Sequence, residues 1–175
     1  KVHKAGARFD PAKVKWFNQQ YLKDYPDSKL ADCLLIDLEK ENIVLNKETA
    51  IKISSVMKER ITFPSEIRKE SNFFFHSPLK WDEDSIKKIK NPESVLMLKE
   101  WCSIFITLTD FSAESIEKSF KNFVAEKQIG MGKLLSPFRL SITGLQQGPS
   151  MFKVAEILGK EEVIRRINNA INSNG

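Results

Sequence analysis

Histidine, cysteine and glycine are scarce in this 175-residue chain, at two, two and seven residues. His3 and His76 stand far apart, and no His/Cys cluster has metal-ligand spacing, which excludes the common zinc patterns. Acid–base and metal chemistry therefore have few candidate residues. Cys33 and Cys102 make no disulfide framework, so a reducing, cytoplasmic setting is expected. No run approaches the roughly 20 consecutive apolar residues that a bilayer span needs, and no membrane partner is expected. The start, Lys1-Val2-His3-Lys4-Ala5-Gly6-Ala7, lacks the apolar core of a signal peptide. It also lacks an initiator Met, which leads to the expectation of a fragment or a processed product. Gly130-Met131-Gly132-Lys133 has the wrong glycine spacing for a phosphate loop and reads as the turn that starts a helix. No fixed-period repeat or low-complexity stretch is visible.

What is present points to packed helices. Hydrophobic residues at 41% and charged residues at 29% suit a folded chain, so general disorder is excluded. The length allows one sizeable domain or two small ones. Twelve Phe against seven Gly argue for helix packing over a turn-rich all-β fold. The net charge of +5 is unevenly spread: residues 1–27 and 129–175 each carry 6 basic and 3 acidic groups, while the stretch between them is close to neutral. Cationic ends around a balanced middle suggest contact with a polyanion. Lysines outnumber arginines 22 to 6. Lysine serves phosphate as a point charge, whereas a planar guanidinium can read a base edge, so the six arginines are the residues to follow.

Helical periodicity recurs along the whole chain. Asp10-Pro11 is a capping residue followed by proline at the first helical position, and predicts a helix to about Tyr21 with Val14, Phe17 and Tyr21 as its apolar stripe. A second helix after Pro26 carries Leu30, Leu34 and Leu38 on one face, and Asn46 caps a third that stops before Phe63-Pro64. Its face is read as Ile51, Ser54, Ser55 and Lys58, with Ile53, Val56 and Met57 beside it. Pro64 opens a short helix leading to Phe73-Phe74-Phe75, and residues 76–80 read as a loop between two subdomains. Further helices are expected over 82–90, 92–108, from Ser112 with Ile116, Phe120, Phe123 and Val124 inward, over 131–142 with a bend at Pro137, from Gly148-Pro149 to Gly159, and over 160–172. The fold class is all-α, with domains expected at 1–24, 25–80 and 81–175.

A family resemblance covers the chain from Phe9 to about Ala170. Phe123-Val124-Ala125-Glu126-Lys127, Met131-Gly132-Lys133, Pro137 to Gly144, Gly148-Pro149-Ser150-Met151-Phe152, Leu158-Gly159-Lys160-Glu161 and Arg165-Arg166-Ile167 together resemble the C-terminal region of bacterial glutamyl-tRNA synthetases. Phe9 to Asn18 resembles the helix where that family's stem-contact region meets its anticodon-binding helices. No HIGH-like or KMSKS-like ATP signature occurs. The resemblance thus implies the tRNA-reading part of an ATP-dependent glutamate–tRNA ligase, with ATP and Mg held by a catalytic domain outside this sequence, and neither catalytic residues nor a cofactor here. Its partner would be tRNA(Glu), and a monomer is expected.

The resemblance also implies roles for particular residues. Arg60 would read the third anticodon base, where an arginine suits a cytosine and separates glutamate tRNA from glutamine tRNA. Arg139 would sit near the first two anticodon bases, and Gly148, Pro149 and Met151 would form a turn and helix start that accept bases. Gly148 stands where some members offer a hydroxyl, and Met151 where a leucine-like residue is found. Lys13 could touch a stem phosphate. The residues alone leave plainer alternatives: Arg60 as a solvated or carboxylate-paired arginine, Arg139 as a partner of Glu126, and 148–151 as an ordinary helix start. Trp16 and Phe73–Phe75 read as core, and Arg165 and Arg166 as solvated charges complementing the dipole of the last helix. For the chain as a whole, the alternative is a helical protein-interaction module with an acidic partner.

Overall fold

The computed structural model describes residues 11–173, and among these every regular element is a helix. Two compact units divide between Glu70 and Ser71.

The first unit contains α1 (Pro11–Asp24), α2 (Asp27–Lys40), α3 (Lys47–Met57), 3-10 turns at Lys58–Arg60 and Pro64–Glu66, and α4 (Ile67–Glu70). Leu30, Leu34 and Leu38 recur every fourth residue and are fully buried, so α2 and α3 pack as a hairpin. Each such leucine contributes about 1.5–3 kcal/mol of transfer free energy. Asn46 Oδ1 accepts from the Thr49 N–H at 2.8 Å, capping α3 as its sequence predicts. The buried face of α3 is Ala50, Ile53, Ser54 and Met57, one position off the expected stripe, so that Ile51 is only half-buried. The expected cap Asp10 and the side chain of Val14 lie outside the described residues.

The expected inward stripe of α1 is not observed. Trp16, Phe17 and Tyr21 are 56%, 62% and 63% exposed, and Leu22 is the anchor that packs inward. Trp16 and Phe17 instead meet edge to face at 5.1 Å, and Tyr21 contacts Tyr25 at 5.6 Å, so these rings cover one another. Trp16 is therefore a surface residue of the described structure, contrary to its reading as core.

The second unit contains a 3-10 turn at Asn72–Phe74, α5 (Glu83–Lys90), α6 (Pro92–Thr107), α7 (Ala113–Glu126), α8 (Met131–Thr143), α9 (Met151–Leu158) and α10 (Lys160–Asn172). Asp82, Asn91 and Ser112 cap α5, α6 and α7 with their own side chains. The phenylalanine excess is explained at the centre, where the fully buried Trp101 meets Phe105, Phe120 and Phe138 at ring distances of 4.5, 5.3 and 4.6 Å. Ile116, Phe120, Phe123 and Val124 are the buried face of α7, as their spacing predicts.

Residues 71–80, expected with the first unit, belong compactly to the second. Phe73 and Phe74 are buried, and the Phe73 carbonyl accepts a hydrogen bond from Arg166 in α10. Pro78 packs against Gly144, the left-handed C-cap of α8 (φ +73°), where an added Cβ would stand 3.2 Å from the Pro78 ring. The Trp81 indole N–H donates to the Leu140 carbonyl at 2.8 Å. These contacts fix α8, the helix that carries Arg139.

Candidate nucleic-acid interface

Arg139 lies on α8 with Gly144 ending the helix five residues later, so the chain turns back through 145–150 across it. Its half-buried guanidinium donates from Nη1 to the Pro149 carbonyl at 3.0 Å. A Cβ built on Gly148 would fall 3.0 Å from that same nitrogen. Position 148 is thus left bare so that the guanidinium can reach the turn. Thr143 secures the base of the turn, since its hydroxyl donates to the Arg139 carbonyl at 2.8 Å and accepts from the Leu145 N–H at 3.1 Å. The structure therefore brings Arg139, Gly148 and Pro149 into one constellation.

Met151 has a different place. It is 2% exposed and starts α9, which begins three residues later than the expected start at Gly148 because residues 148–150 form the turn. Its side chain is buried, so it presents no surface of its own at the turn.

Arg60 belongs to the first unit. It ends the 3-10 turn after α3, is exposed, and is followed by the buried Ile61. The turn is held from both sides. Lys58 pairs with Asp27 at the start of α2 at 2.9 Å, and Glu66 Oε2 accepts from the N–H groups of Thr62 and Phe63 at 2.6 and 3.1 Å. A short, fixed turn presenting one exposed arginine is a geometry suited to checking a base edge. Lys13 is exposed on α1.

The largest departure concerns Arg166. Rather than a solvated charge, it is 3% exposed; Nη1 donates to the carbonyls of Phe73 and Ile142 at 2.6 and 2.7 Å, and Nε donates to Glu162 at 2.6 Å. It complements the C-terminal end of α8, not of its own helix, because Ile142 is among the last carbonyls that α8 leaves unpaired. Arg165, by contrast, is exposed and forks onto Glu162 with two bonds of 2.7 Å. Hydrogen bonds from Arg165, together with those from Arg166, hold the Glu162 carboxyl down at about 2. Burial pulls the Arg166 guanidinium below its ordinary value, with Glu162 acting against that, and an arginine stays charged throughout. A sequence signal for this role existed only in the i, i+4 spacing of Glu162 and Arg166.

No cluster of three metal-ligating side chains occurs among the described residues, nor a helix long and apolar enough to cross a membrane. Burial pushes the Cys102 thiol up to about 12, so it holds no reactive thiolate. The two turns present arginine and backbone groups at their surface.

The family described as "Anticodon binding domain" matches residues 16–171. A curated protein named glutamate–tRNA ligase from Flavobacterium johnsoniae is 42% identical over 99% of this chain and 34% of its own length. One of the same name from Porphyromonas gingivalis is 33% identical over 98% and 34%. Among solved structures, a glutamate tRNA ligase from Elizabethkingia meningosepticum, in complex with its amino acid, superposes with a TM-score of 0.89 at 42% identity, over 100% of this chain and 35% of that one. The chain therefore spans about a third of the length of these relatives. With the family matching nearly the whole described length, on a fold shared with that ligase structure, the chain belongs to the anticodon binding domain family.

Proposed function

We propose that this chain is the anticodon-reading part of a bacterial glutamate–tRNA ligase and that tRNA(Glu) is its partner. In that enzyme the remaining length would activate glutamate with ATP and Mg, while this part checks which tRNA is present. The carrying observation is the Arg139–Gly148–Pro149 constellation, in which a guanidinium is pre-oriented by a backbone carbonyl across a turn that lacks a side chain at its closest point. Pre-orientation matters because a rotamer-rich side chain immobilised only on binding costs about 0.5–1.5 kcal/mol. Arg139 and the turn would engage the first two anticodon nucleotides. Arg60, on its own fixed turn, would test the third and favour cytosine. Lys13 would add a stem phosphate contact.

The test uses the full-length protein that contains this chain, charging transcripts of tRNA(Glu) and tRNA(Gln). Arg139→Ala should lower kcat/KM for tRNA(Glu), with the KM for ATP and glutamate unchanged. Arg60→Gln should narrow the kcat/KM ratio between the two tRNAs by roughly 5- to 150-fold, as a bidentate contact worth about 1–3 kcal/mol predicts. An unchanged ratio in the Arg60 variant, or an Arg139 effect confined to ATP and glutamate, would overturn these assignments.

A further inference from the structure

The chain leaves α8 by an uncommon hydrogen-bond pattern. A helix that ends on a left-handed glycine often sends the N–H of the next residue back to a carbonyl of its last turn. At Gly144 that donor is the Leu145 N–H and that carbonyl belongs to Leu140. The Leu140 carbonyl is already shared, accepting from the Gly144 N–H at 2.9 Å and from the Trp81 indole N–H at 2.8 Å. The Leu145 N–H goes instead to the Thr143 hydroxyl at 3.1 Å, and that hydroxyl donates to the Arg139 carbonyl at 2.8 Å.

A threonine hydroxyl has one hydrogen to donate and lone pairs with which to accept. Donation to the carbonyl four residues back is routine inside a helix. Acceptance from the departing chain makes the same oxygen a joint between the helix and the turn. The joint also closes a circuit. It runs from the Arg139 carbonyl through the Thr143 hydroxyl to the Leu145 N–H, along the chain to the Pro149 carbonyl, and back to Arg139 through Nη1 at 3.0 Å. Both ends of the circuit lie on one residue, so the direction in which the chain leaves Thr143 decides whether the guanidinium meets its carbonyl. Trp81 and Arg166 hold the carbonyls of Leu140 and Ile142 and so fix the helix end, while Thr143 extends that fixation into the turn. Thr143 is 7% exposed, which places it beneath the surface that a ligand would touch.

We propose that Thr143 is a positioning residue for anticodon discrimination, its hydroxyl setting the turn against which the Arg139 guanidinium is aimed. This rests on the assignment of Arg139 to the first anticodon nucleotides and adds to it the group through which that arginine is held ready.

The experiment uses the full-length protein that contains this chain. It charges tRNA(Glu) transcripts with the native anticodon, or with its first or second nucleotide substituted, and reads the ratio of kcat/KM between them. Thr143→Val keeps the shape and removes the hydroxyl; it should lower that ratio by about 2- to 13-fold, the scale of a side chain that must be ordered afresh on binding. Thr143→Ser keeps the hydroxyl and should hold the parent ratio. Thr143→Ala differs from the serine variant by the hydroxyl, so this pair repeats the comparison should valine pack badly. In an Arg139→Ala background none of the three should move the ratio further, because Thr143 acts through Arg139. A purely structural role would lower the melting temperature and leave the ratio at the parent value, which would overturn the proposal. A serine variant that falls as far as valine would overturn it too, as would a valine effect that persists without Arg139. Crystal structures of the valine and serine variants give a second reading: Arg139 Nη1 should leave the Pro149 carbonyl in the first and stay on it in the second. If Arg139→Ala itself leaves the ratio unchanged, the anticodon assignment of Arg139 fails instead. Those two structures then still judge Thr143, and a guanidinium unmoved in the valine variant would sink its positioning role.

Discussion

Replacing Arg166 by methionine keeps its bulk and removes its charge and all its donors. Three hydrogen bonds disappear, two to the carbonyls of Phe73 and Ile142 and one to Glu162. Glu162 retains both bonds from Arg165, so its charge is not stranded and the full cost of about 3–5 kcal/mol for a broken buried ion pair does not apply. The two carbonyls are the larger matter, because a buried acceptor left unsatisfied costs about 1–3 kcal/mol. The expected loss is therefore about 3–4 kcal/mol. An arginine that merely complemented a helix end from solvent would be worth about 0.3–1 kcal/mol. Urea unfolding at neutral pH separates the two readings. With a slope of about 2 kcal/mol per molar, the midpoint should fall by about 1.5–2 M. Arg166→Lys should recover little, since one ammonium cannot span three acceptors that a planar fork serves together. Because Ile142 precedes the turn that meets Arg139, amide exchange at 143–148 should also quicken. A midpoint shift under about 0.3 M, near what surface substitutions give, would refute the keystone role.

Two further outcomes follow from the same geometry. Glu162 titrates at about 2 in the folded chain against an ordinary value of 4.5, so its contribution to stability is complete above about pH 4.5 and is lost as pH falls toward 2. Glu162→Gln should flatten that part of the acid-unfolding profile, and an unchanged profile would count against the Arg165–Glu162–Arg166 network. Gly148→Val should drive the Arg139 guanidinium off the Pro149 carbonyl, reducing anticodon preference in transcript binding while moving the melting temperature by only a few degrees. Undiminished preference in that variant would show that the guanidinium needs no clearance there.

Much of the helical order was legible because capping residues and apolar spacing are local signals. Asn46, Asn91 and Ser112 cap their helices, and the stripe of α7 is buried residue for residue. The failures share a cause, since burial depends on partners distant in sequence. The aromatics of α1 have helical spacing but only Leu22 packs inward, so periodicity named a face that the described structure leaves open. Arg166 looks like any terminal-helix cation until Phe73 and Ile142, 93 and 24 residues away, supply their carbonyls. Within the candidate site, resemblance singled out Arg139, Gly148 and Pro149, and the coordinates bring the three together. What one sequence could not convey is the reason position 148 is bare, because clearance around a guanidinium is a property of three dimensions.

The tryptophans offer a practical consequence. Trp16, in the first unit, is mostly open to solvent, whereas Trp101, in the second, has no exposure and sits among phenylalanine rings. Trp81 lies between these extremes with its indole N–H tied to Leu140. The chain therefore carries its own spectroscopic labels: a quencher should reach Trp16 and spare Trp101. Emission from variants keeping one tryptophan each would then record whether the two units lose their structure as one event or as two.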